Sequence, residues 1–539
     1  MKLFDDTEFD PKRVGASGPL TDATEHPIGD HVDNKQTAPE TYAVGEDPHV
    51  RWKIARLAAG KSPRVLDLFA GCGGLSLGFH RAGFEISAAV EHDPDAAASH
   101  GANFHPGDPL HAIARNILEL TPERLVASVG LGPPALAIDV LVGGPPCQAF
   151  ARVGRSKLRE IDAHPQAFMH DPRARLYLEY LRYVRTLKPL ALVMENVPDV
   201  LNHGGQNIAE ETCEVLEECG YNARYSLLNA AYYGVPQMRE RMILIAYRKE
   251  LTADIEFPHP THWVDLPPGY RSSRRVALKL VDAESPLNGK TRYVPAPVAD
   301  PSGTPAVTAE AALADLAPMT EHLEGKSRRG VRRLEGLSPY SENAPVTSYA
   351  GLMRDWPGFA AADKVSAHVT RHLPRDWRIF AKMAAGDQYP EAHAHAQSLF
   401  EEELKSRLEA GECIEPETEA YETFRSQFVP PYDAKKFPNK WRKMEADRPA
   451  RTLMAHLGKD TYSHIHYDSG QARTISVREA ARLQSFPDGF IFRGTMNPAF
   501  RQIGNAVPPL LAAAVAATIY ETLKLTVSAK AREPALTDS

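Results

Sequence analysis

Cys147 is the residue of this chain best placed for nucleophilic chemistry. It stands in the sequence GGPPCQ, directly after the short apolar run 138–142, and two prolines stiffen the loop that carries its sulfur. Four basic residues follow within 152–159. A positive environment favours the thiolate, which is the reactive form of a cysteine. A small buried cysteine is the plainer alternative, but a loop that follows a buried strand is where α/β proteins place their active sites.

Two further polar groups stand at strand ends. Glu195 and Asn196 follow the apolar run 190–194, and a carboxyl group there could donate a hydrogen bond to a substrate or simply cap the strand. Gln237, Arg239 and Arg241 alternate along the start of another strand, which predicts that they share one face. A salt-bridged sheet edge is the alternative for those three residues.

A glycine-rich turn, FAGCGG at 69–74, lies between an apolar run and a helix-like segment. Glycines let a ligand approach the backbone, and a carboxylate at the end of the next strand, here Glu91, can hold the two hydroxyls of a ribose. The spacing of Gly71, Gly73 and Gly78 differs from the dinucleotide fingerprint. The turn therefore predicts a nucleoside cofactor other than NAD.

Short apolar runs alternate with helical patterns through the first half of the chain, which predicts an α/β fold with a parallel sheet covered on both faces. The carboxyl ends of parallel strands meet at one edge of a sheet, so the groups above are expected to converge there. The predicted strands are 64–69, 86–90, 138–142, 190–194 and 242–247.

Taken in order, these segments resemble the DNA (cytosine-5)-methyltransferase family. The resemblance covers about residues 64–247 and 448–515. It implies a Rossmann-like S-adenosylmethionine-dependent methyltransferase sheet with a second, smaller, loop-rich target-recognition domain. The matching segments are DLFAGCGGLSLGF, Glu91, GGPPCQAF, ENV, QMRER, RPART at 448–452 and GNAVP at 504–508.

The resemblance also implies a mechanism. Cys147 would add to carbon 6 of a cytosine flipped out of double-stranded DNA at a specific short sequence, which activates carbon 5 for methylation. Glu195, carrying a proton, would donate to ring nitrogen 3, while Arg239 and Arg241 would hold the base carbonyl oxygen and the active-site loop. The residues that the resemblance places around S-adenosyl-L-methionine are Phe69, Gly71, Gly73, Glu91, Ile117, Pro146, Leu176, Asn505 and Val507.

Three positions depart from the family pattern. Ala151 stands where a serine often follows, Asn116 where an aspartate usually meets the adenine, and His92 where an aromatic or apolar residue often packs on that ring. These departures are expected to retune cofactor binding without removing a catalytic group.

The net charge of −7 does not exclude a DNA substrate. Residues 1–50 hold 11 acidic and 4 basic residues, so the rest of the 539-residue chain is neutral overall. The five cysteines form no C-x-x-C pair, and no metal site is expected. No apolar run approaches the ~20 residues of a membrane span. With an acidic start that lacks a signal core, this predicts a cytoplasmic, nucleoid-associated monomer.

Changes in composition suggest the domain organisation. The insert between the motif-bearing segments contains basic clusters at 271–279, 326–333 and 435–443, as a DNA-reading surface requires. A chain shortened to begin near residue 55 is expected to fold. The predicted parts are an acidic, disordered extension at 1–60, a catalytic and cofactor-binding domain at 61–256, a target-recognition domain at 257–447, a family motif and hinge region at 448–500, a returning helix at 501–527 and a tail at 528–539.

Two other functions remain open at this point. A tRNA cytosine-5 methyltransferase shares this machinery, but it carries a Cys-Phe-Thr motif, and no cysteine here precedes a phenylalanine. A catalytically silent DNA-binding protein is disfavoured because Cys147, Glu195 and both arginines are present. The expected partners are double-stranded DNA and, if the enzyme belongs to a restriction-modification pair, a separately encoded endonuclease.

Overall fold

A computed structural model describes residues 47–146, 172–251, 253–282, 291–326, 330, 333–412 and 414–530. Cys147 and the basic residues of 152–159 lie outside the described part of the chain. The strands are β1 Arg64–Leu68, β2 Glu85–Val90, β3 Val140–Gly143, β4 Ala191–Asn196, β5 Tyr221–Asn229, β6 Gln237–Met238, β7 Glu240–Arg248, β8 Ser338–Pro339, β9 Lys364–Val365 and β10 Ala450–Arg451. The helices are α1 Pro48–Ala58, α2 Gly74–Arg81, α3 Pro94–Phe104, α4 Pro122–Ser128, α5 Pro134–Ala137, α6 Pro172–Leu187, α7 Ile208–Glu218, α8 Pro268–Ala277, α9 Lys279–Asp282, α10 Ala309–Leu313, α11 Ser348–Arg354, α12 Trp377–Lys382, α13 Tyr389–Glu409, α14 Glu419–Ser426, α15 Val477–Leu483, α16 Met496–Asn505 and α17 Pro509–Lys530.

One six-stranded sheet, in the order β2-β1-β3-β4-β7-β5, forms the centre of the fold. The first four strands in that order are parallel, and every residue of β3 and β4 is buried, as expected of strands covered on both faces. The α/β prediction is therefore confirmed. The prediction of an all-parallel sheet is wrong at β7, which runs antiparallel to both of its neighbours. The short link after β5 leaves no room for the crossover helix that a parallel strand needs.

The long apolar helix α17 packs on the sheet through α2. The missing side chain of Gly78 makes this possible, because a Cβ there would lie 2.4 Å from Ala512. By length and composition alone, Met496–Lys530 is long enough and apolar enough to cross a membrane, so the expectation that no stretch reaches that size is wrong. Burial within the protein covers 61% of its most apolar window, and packing in the core accounts for its composition.

Helix α1 is an ordered part of the fold. The ammonium group of the fully buried Lys53 donates to the backbone carbonyls of Ile138, Leu187 and Lys188 at 2.5, 2.8 and 2.9 Å. These contacts join α1 to the amino-terminal ends of β3 and β4. The prediction of a disordered extension to residue 60 is therefore wrong for 48–58. A chain beginning near residue 55 would lose Lys53 and would leave these three carbonyls unpaired.

The predicted domain boundary at residue 257 is not a break in packing. The segment around Tyr293 adds to the sheet edge, because the backbone N–H of Val294 donates to Tyr225 at 2.9 Å. Next to it, Arg292 pairs with Glu210 and Glu217 of α7 at 2.9 and 2.8 Å. The described residues between 253 and 296 thus belong with the catalytic sheet.

The segment predicted as a hinge, 448–500, forms a buried core. Arg482 of α15 is fully buried and pairs with Asp488 at 2.5 Å and with Asp315 at 3.1 Å. Arg473 pairs with Glu479 at 2.6 Å, also out of contact with solvent. Because Asp315 follows α10, these ion pairs join the segment firmly to the start of the insert.

Candidate active site

A cavity of about 900 Å³ opens at the carboxyl ends of β1, β2, β3 and β4. The sheet brings the separate sequence motifs together there, because these four strands are parallel. Its walls contain eight of the nine residues predicted for the cofactor and three of the four predicted for catalysis. They are Phe69, Gly71, Glu91, Ile117, Pro146, Leu176, Asn505 and Val507, with Glu195, Arg239 and Arg241.

The glycine-rich turn forms one wall of the cavity, and Gly71 and Gly73 have different structural roles in it. Gly71 has φ 55°, and a Cβ there would have nothing within 4 Å, so the backbone is open to a ligand. Gly73 has φ 104°, but its Cβ position is closed by the ring of Phe104 at 2.4 Å. Gly73 is therefore needed for the turn and its packing, and it is the one predicted cofactor residue that does not line the cavity.

The Glu91 carboxylate is held at the cavity wall by backbone donors. Its Oε2 accepts from the N–H of Gly71 at 2.8 Å, and its Oε1 accepts from the N–H of Asp93 at 2.7 Å. Each carboxylate oxygen can accept a second hydrogen bond. The arrangement offers two fixed acceptors side by side, which suits a pair of neighbouring hydroxyl groups.

Glu195 lies on the other side of the same cavity. Arg241 Nε contacts Glu195 Oε1 at 2.6 Å, and each side chain is only about one-tenth exposed. A Cβ on Gly144 would lie 3.0 Å from Glu195 Oε2, so glycine leaves room for the carboxylate. Asn196 Nδ2 donates to the carbonyl of Pro145 at 2.8 Å, which fixes the loop leading to Cys147 relative to β4.

Arg239 and Arg241 bind different parts of the protein. Arg239 is buried and donates to the carbonyls of Leu453 at 2.5 Å and Gly504 at 2.9 Å. Nearby Gln237 accepts from the N–H of Leu453 at 2.8 Å. Burial lowers the pKa of both arginines, and at Arg241 the Glu195 charge opposes that effect. Arg239 therefore joins two distant segments at the cavity wall, whereas Arg241 holds Glu195, and Arg239 Nε has no hydrogen-bond partner among the described residues.

Two of the three departures from the family pattern line the cavity, and Ala151 lies outside the described residues. Asn116 Nδ2 donates to Glu119 Oε1 at 2.8 Å, and its Oδ1 accepts from the N–H of Leu118 at 3.1 Å. The amide is therefore held in one orientation, with its oxygen as the acceptor. His92 lines the same end of the cavity.

Comparison with known proteins decides the family. The model for C-5 cytosine-specific DNA methylases matches residues 63–294 and 364–521. This chain belongs to that family. The first matched segment ends at the residues that pair with the sheet edge, Tyr293 and Val294. The resemblance found in the sequence is confirmed, as is the activity of a DNA cytosine-5-methyltransferase.

Related proteins align with most of the methylase. A protein of Oceanobacillus iheyensis named as a type II methyltransferase, M.OihORF3336P, is 37% identical over 86% of this chain and 96% of its own. The type II methyltransferase M.AgeI of Thalassovita gelatinovora is 31% identical over 86% of this chain and 100% of its own. The crystal structure of a protein described as a DNA modification methyltransferase, encoded within a prophage of E. coli, shares the fold. Its TM-score is 0.54 at 22% identity, over 86% of this chain and 100% of that one.

A buried polar chain supports the glycine-rich turn of the methylase from behind. Ser76 Oγ donates to Asp67 Oδ2 at 2.7 Å and lies 2.9 Å from His100 Nε2. Asp67 Oδ1 has no hydrogen-bond partner among the described residues. Burial, with a smaller effect from the charge of Glu91, raises the pKa of Asp67 to about 7. The sequence does not reveal this hydrogen-bonded network, because nothing in the order of residues shows that Asp67 and His100 both contact Ser76.

We expect Asp67 to make the stability of the methylase depend on pH. Between pH 4 and 7 the folded state holds a proton on Asp67 that the unfolded state has lost, so this contribution to stability falls as pH rises. Asp67→Asn removes that effect. Denaturant unfolding gives the free energy of unfolding of the variant minus that of the wild type. This difference should be a few kcal/mol more favourable to the variant at pH 8 than at pH 4, at about 1.4 kcal/mol per pKa unit. The control is Asp363→Asn, at an exposed position. If the difference in free energy of unfolding from the wild type did not change with pH for either variant, the assignment would be wrong.

Proposed function

We propose that the methylase transfers a methyl group from S-adenosylmethionine to carbon 5 of a cytosine flipped out of double-stranded DNA, through a covalent adduct with Cys147. One observation supports this above the others. The fixed Glu91 carboxylate and the Glu195–Arg241 pair line a single cavity, and Pro146 of that cavity immediately precedes Cys147.

The walls of the cavity fit the cofactor. The two fixed acceptors of Glu91 match a ribose diol, and the open backbone at Gly71 admits a ligand at close range. Bound S-adenosylmethionine would supply the electrophilic methyl group. The residues that would hold it are Phe69, Gly71, Glu91, Ile117, Pro146, Leu176, Asn505 and Val507.

Cys147 and Glu195 together would make carbon 5 of cytosine, a poor nucleophile, reactive toward the methyl group. Carbon 5 of cytosine gains electron density when the Cys147 thiolate adds to carbon 6, and a proton from Glu195 at ring nitrogen 3 balances that charge. Arg241 fixes the Glu195 carboxylate for this contact. After carbon 5 has accepted the methyl group, it loses its proton to solvent and the bond between sulfur and carbon 6 breaks, which regenerates the thiolate. Ring nitrogen 3 returns its proton to Glu195, so neutral 5-methylcytosine is released.

The position of the cavity also requires that the target base leave the DNA duplex. A base inside a duplex cannot reach a cavity at a sheet edge, so it must leave the stack at a cost of a few kcal/mol. We assign recognition of the short target sequence to residues 297–447, since the described residues before 297 pack on the catalytic sheet. Two relatives are named type II methyltransferases, and a separately encoded restriction endonuclease is the partner that we propose.

Substitution of Cys147 tests the proposed chemistry. Cys147→Ala should abolish transfer of a labelled methyl group to DNA, because no other group can add to carbon 6. DNA that contains 5-fluorocytosine should trap a covalent adduct on the wild type, since fluorine cannot leave as a proton. The control is Cys219→Ala, at the end of α7 and away from the cavity, which should retain activity. Substantial methylation by Cys147→Ala would contradict the covalent route.

Asn116 tests the cofactor half of the proposal. Asn116→Asp places a carboxylate next to Glu119, where the amide now donates at 2.8 Å, and the repulsion should weaken S-adenosylmethionine binding several-fold, or about 1 kcal/mol. The double variant Asn116→Asp/Glu119→Gln gives the new carboxylate a donor, so titration calorimetry should show affinity restored to the wild-type level or above. Glu119→Gln alone is the control. A double variant that binds no better than Asn116→Asp would exclude this role of Glu119.

A further inference from the structure

The basic cluster at 271–279 lies on α8 and at the start of α9, on a face that the catalytic chemistry does not use. Arg271 and Arg275 are one helical turn apart on α8, and Lys279 is the first residue of α9, four residues further along the chain. All three are exposed, whereas Ala277 on the opposite face is buried in the catalytic core. No acidic residue lies between Arg271 and Lys279.

This helix is anchored beside the base-binding side of the active site. Asn202 Nδ2, in the 3-10 segment Pro198–Asn202 that follows Glu195 and Asn196, donates to the carbonyl of Val276 at 3.0 Å. From α8, Arg274 Nη1 contacts Glu240 Oε1 at 3.0 Å, and Glu240 immediately precedes Arg241. Glu240 directly precedes Arg241, and Asn202 follows the end of the strand that carries Glu195, so α8 packs near the carboxyl edge of the sheet, where the cavity opens.

Two of the three exposed cations have no charge partner among the described side chains. Arg274 forms an ion pair with Glu240, and Arg271 forms one with the exposed Asp265. Neither Arg275 nor Lys279 forms an ion pair or hydrogen bond with any residue that the structure describes. Two unpaired cations four residues apart, on helices that pack beside a DNA-modifying site, have the charge that a phosphate backbone requires.

We infer that this ridge, Arg271–Arg275–Lys279, binds DNA phosphates that flank the flipped cytosine. The inference rests on the proposed function, which makes double-stranded DNA the substrate. A neighbouring cavity of about 330 Å³ contains Ser272 and Ser273 but also Asp199. The negative charge of Asp199 opposes a phosphate inside that cavity, so the contact falls on the exposed ridge.

The other two basic clusters are weaker candidates for this role. The cluster at 326–333 falls mostly outside the described residues. In the cluster at 435–443, Lys443 is buried and bonded to the carbonyl of Phe380, and Lys440 lies over the Tyr432 ring. That cluster belongs to a separate packing core around Trp441, away from the catalytic strands.

The test compares two double variants with equal charge loss. Arg275→Gln/Lys279→Gln removes the two unpaired cations of the ridge, and Lys61→Gln/Arg124→Gln removes two exposed cations, one before β1 and one on α4, outside the segment assigned to target recognition. Fluorescence anisotropy with a short labelled DNA duplex, repeated over a salt series, gives the affinity and its salt dependence. The ridge variant should bind about tenfold more weakly at low salt, and the slope of log Kd against log salt should fall by about 1.8, or 0.9 per lost phosphate contact.

The outcomes separate this inference from the proposed function. The control variant should keep the wild-type slope, and the charge-conserving Arg275→Lys/Lys279→Arg should recover it. If the wild type methylates DNA while the ridge variant keeps the wild-type slope, the inference is wrong and the proposed function stands. If the wild type neither binds nor methylates a duplex, both are overturned. Matching thermal unfolding of all variants shows that the fold is unchanged.

Discussion

Two hydrogen bonds from the buried guanidinium of Arg239 tie together two segments that line the active-site cavity of the methylase. They reach the carbonyls of Leu453 and Gly504, which are 214 and 265 residues away along the chain. The segments that they fix are packed closely together, since a Cβ on Gly504 would lie 2.4 Å from the backbone of Met454. Asn505 and Val507 follow directly and complete the cavity wall. The cofactor wall therefore depends on a contact between distant parts of the chain.

The rest of the site is preorganised largely by the backbone. Glu91 is oriented by the N–H groups of Gly71 and Asp93, so its acceptors are in place before a ligand arrives. Asn196 fixes the loop before Cys147 through a carbonyl, and Gly144 leaves space for Glu195. Because the parallel strands end at one edge, short loops suffice to bring these groups together. Such rigid placement is what catalysis by oriented charge requires.

The sequence predicted the strand-end groups well, because a parallel sheet forces them to one edge. It did not predict what Arg239 does, since both partners are backbone carbonyls and leave no trace in residue type. Strand β5 was missed because its alternate polar residues interrupt the apolar run. The acidic composition before residue 60 concealed α1, which is held by the buried Lys53, by Val50 and Ile54 in the core and by the pair of Arg56 with Asp139. The boundary near 294 depends on edge pairing at Tyr293, which periodicity does not show.

Equilibrium binding of S-adenosylmethionine to Arg239→Lys, without DNA, tests most directly whether Arg239 holds the cofactor wall in place. A lysine lacks the planar fork that reaches two carbonyls at once, so affinity should fall by about 1–3 kcal/mol, with a similar loss of stability. Arg241→Lys, which disturbs the pair with Glu195 and the hydrogen bond to the Glu240 carbonyl, should bind the cofactor as the wild type does while methyl transfer slows. If Arg239→Lys binds S-adenosylmethionine with wild-type affinity and stability yet fails to methylate DNA, Arg239 acts on the base and the account is wrong.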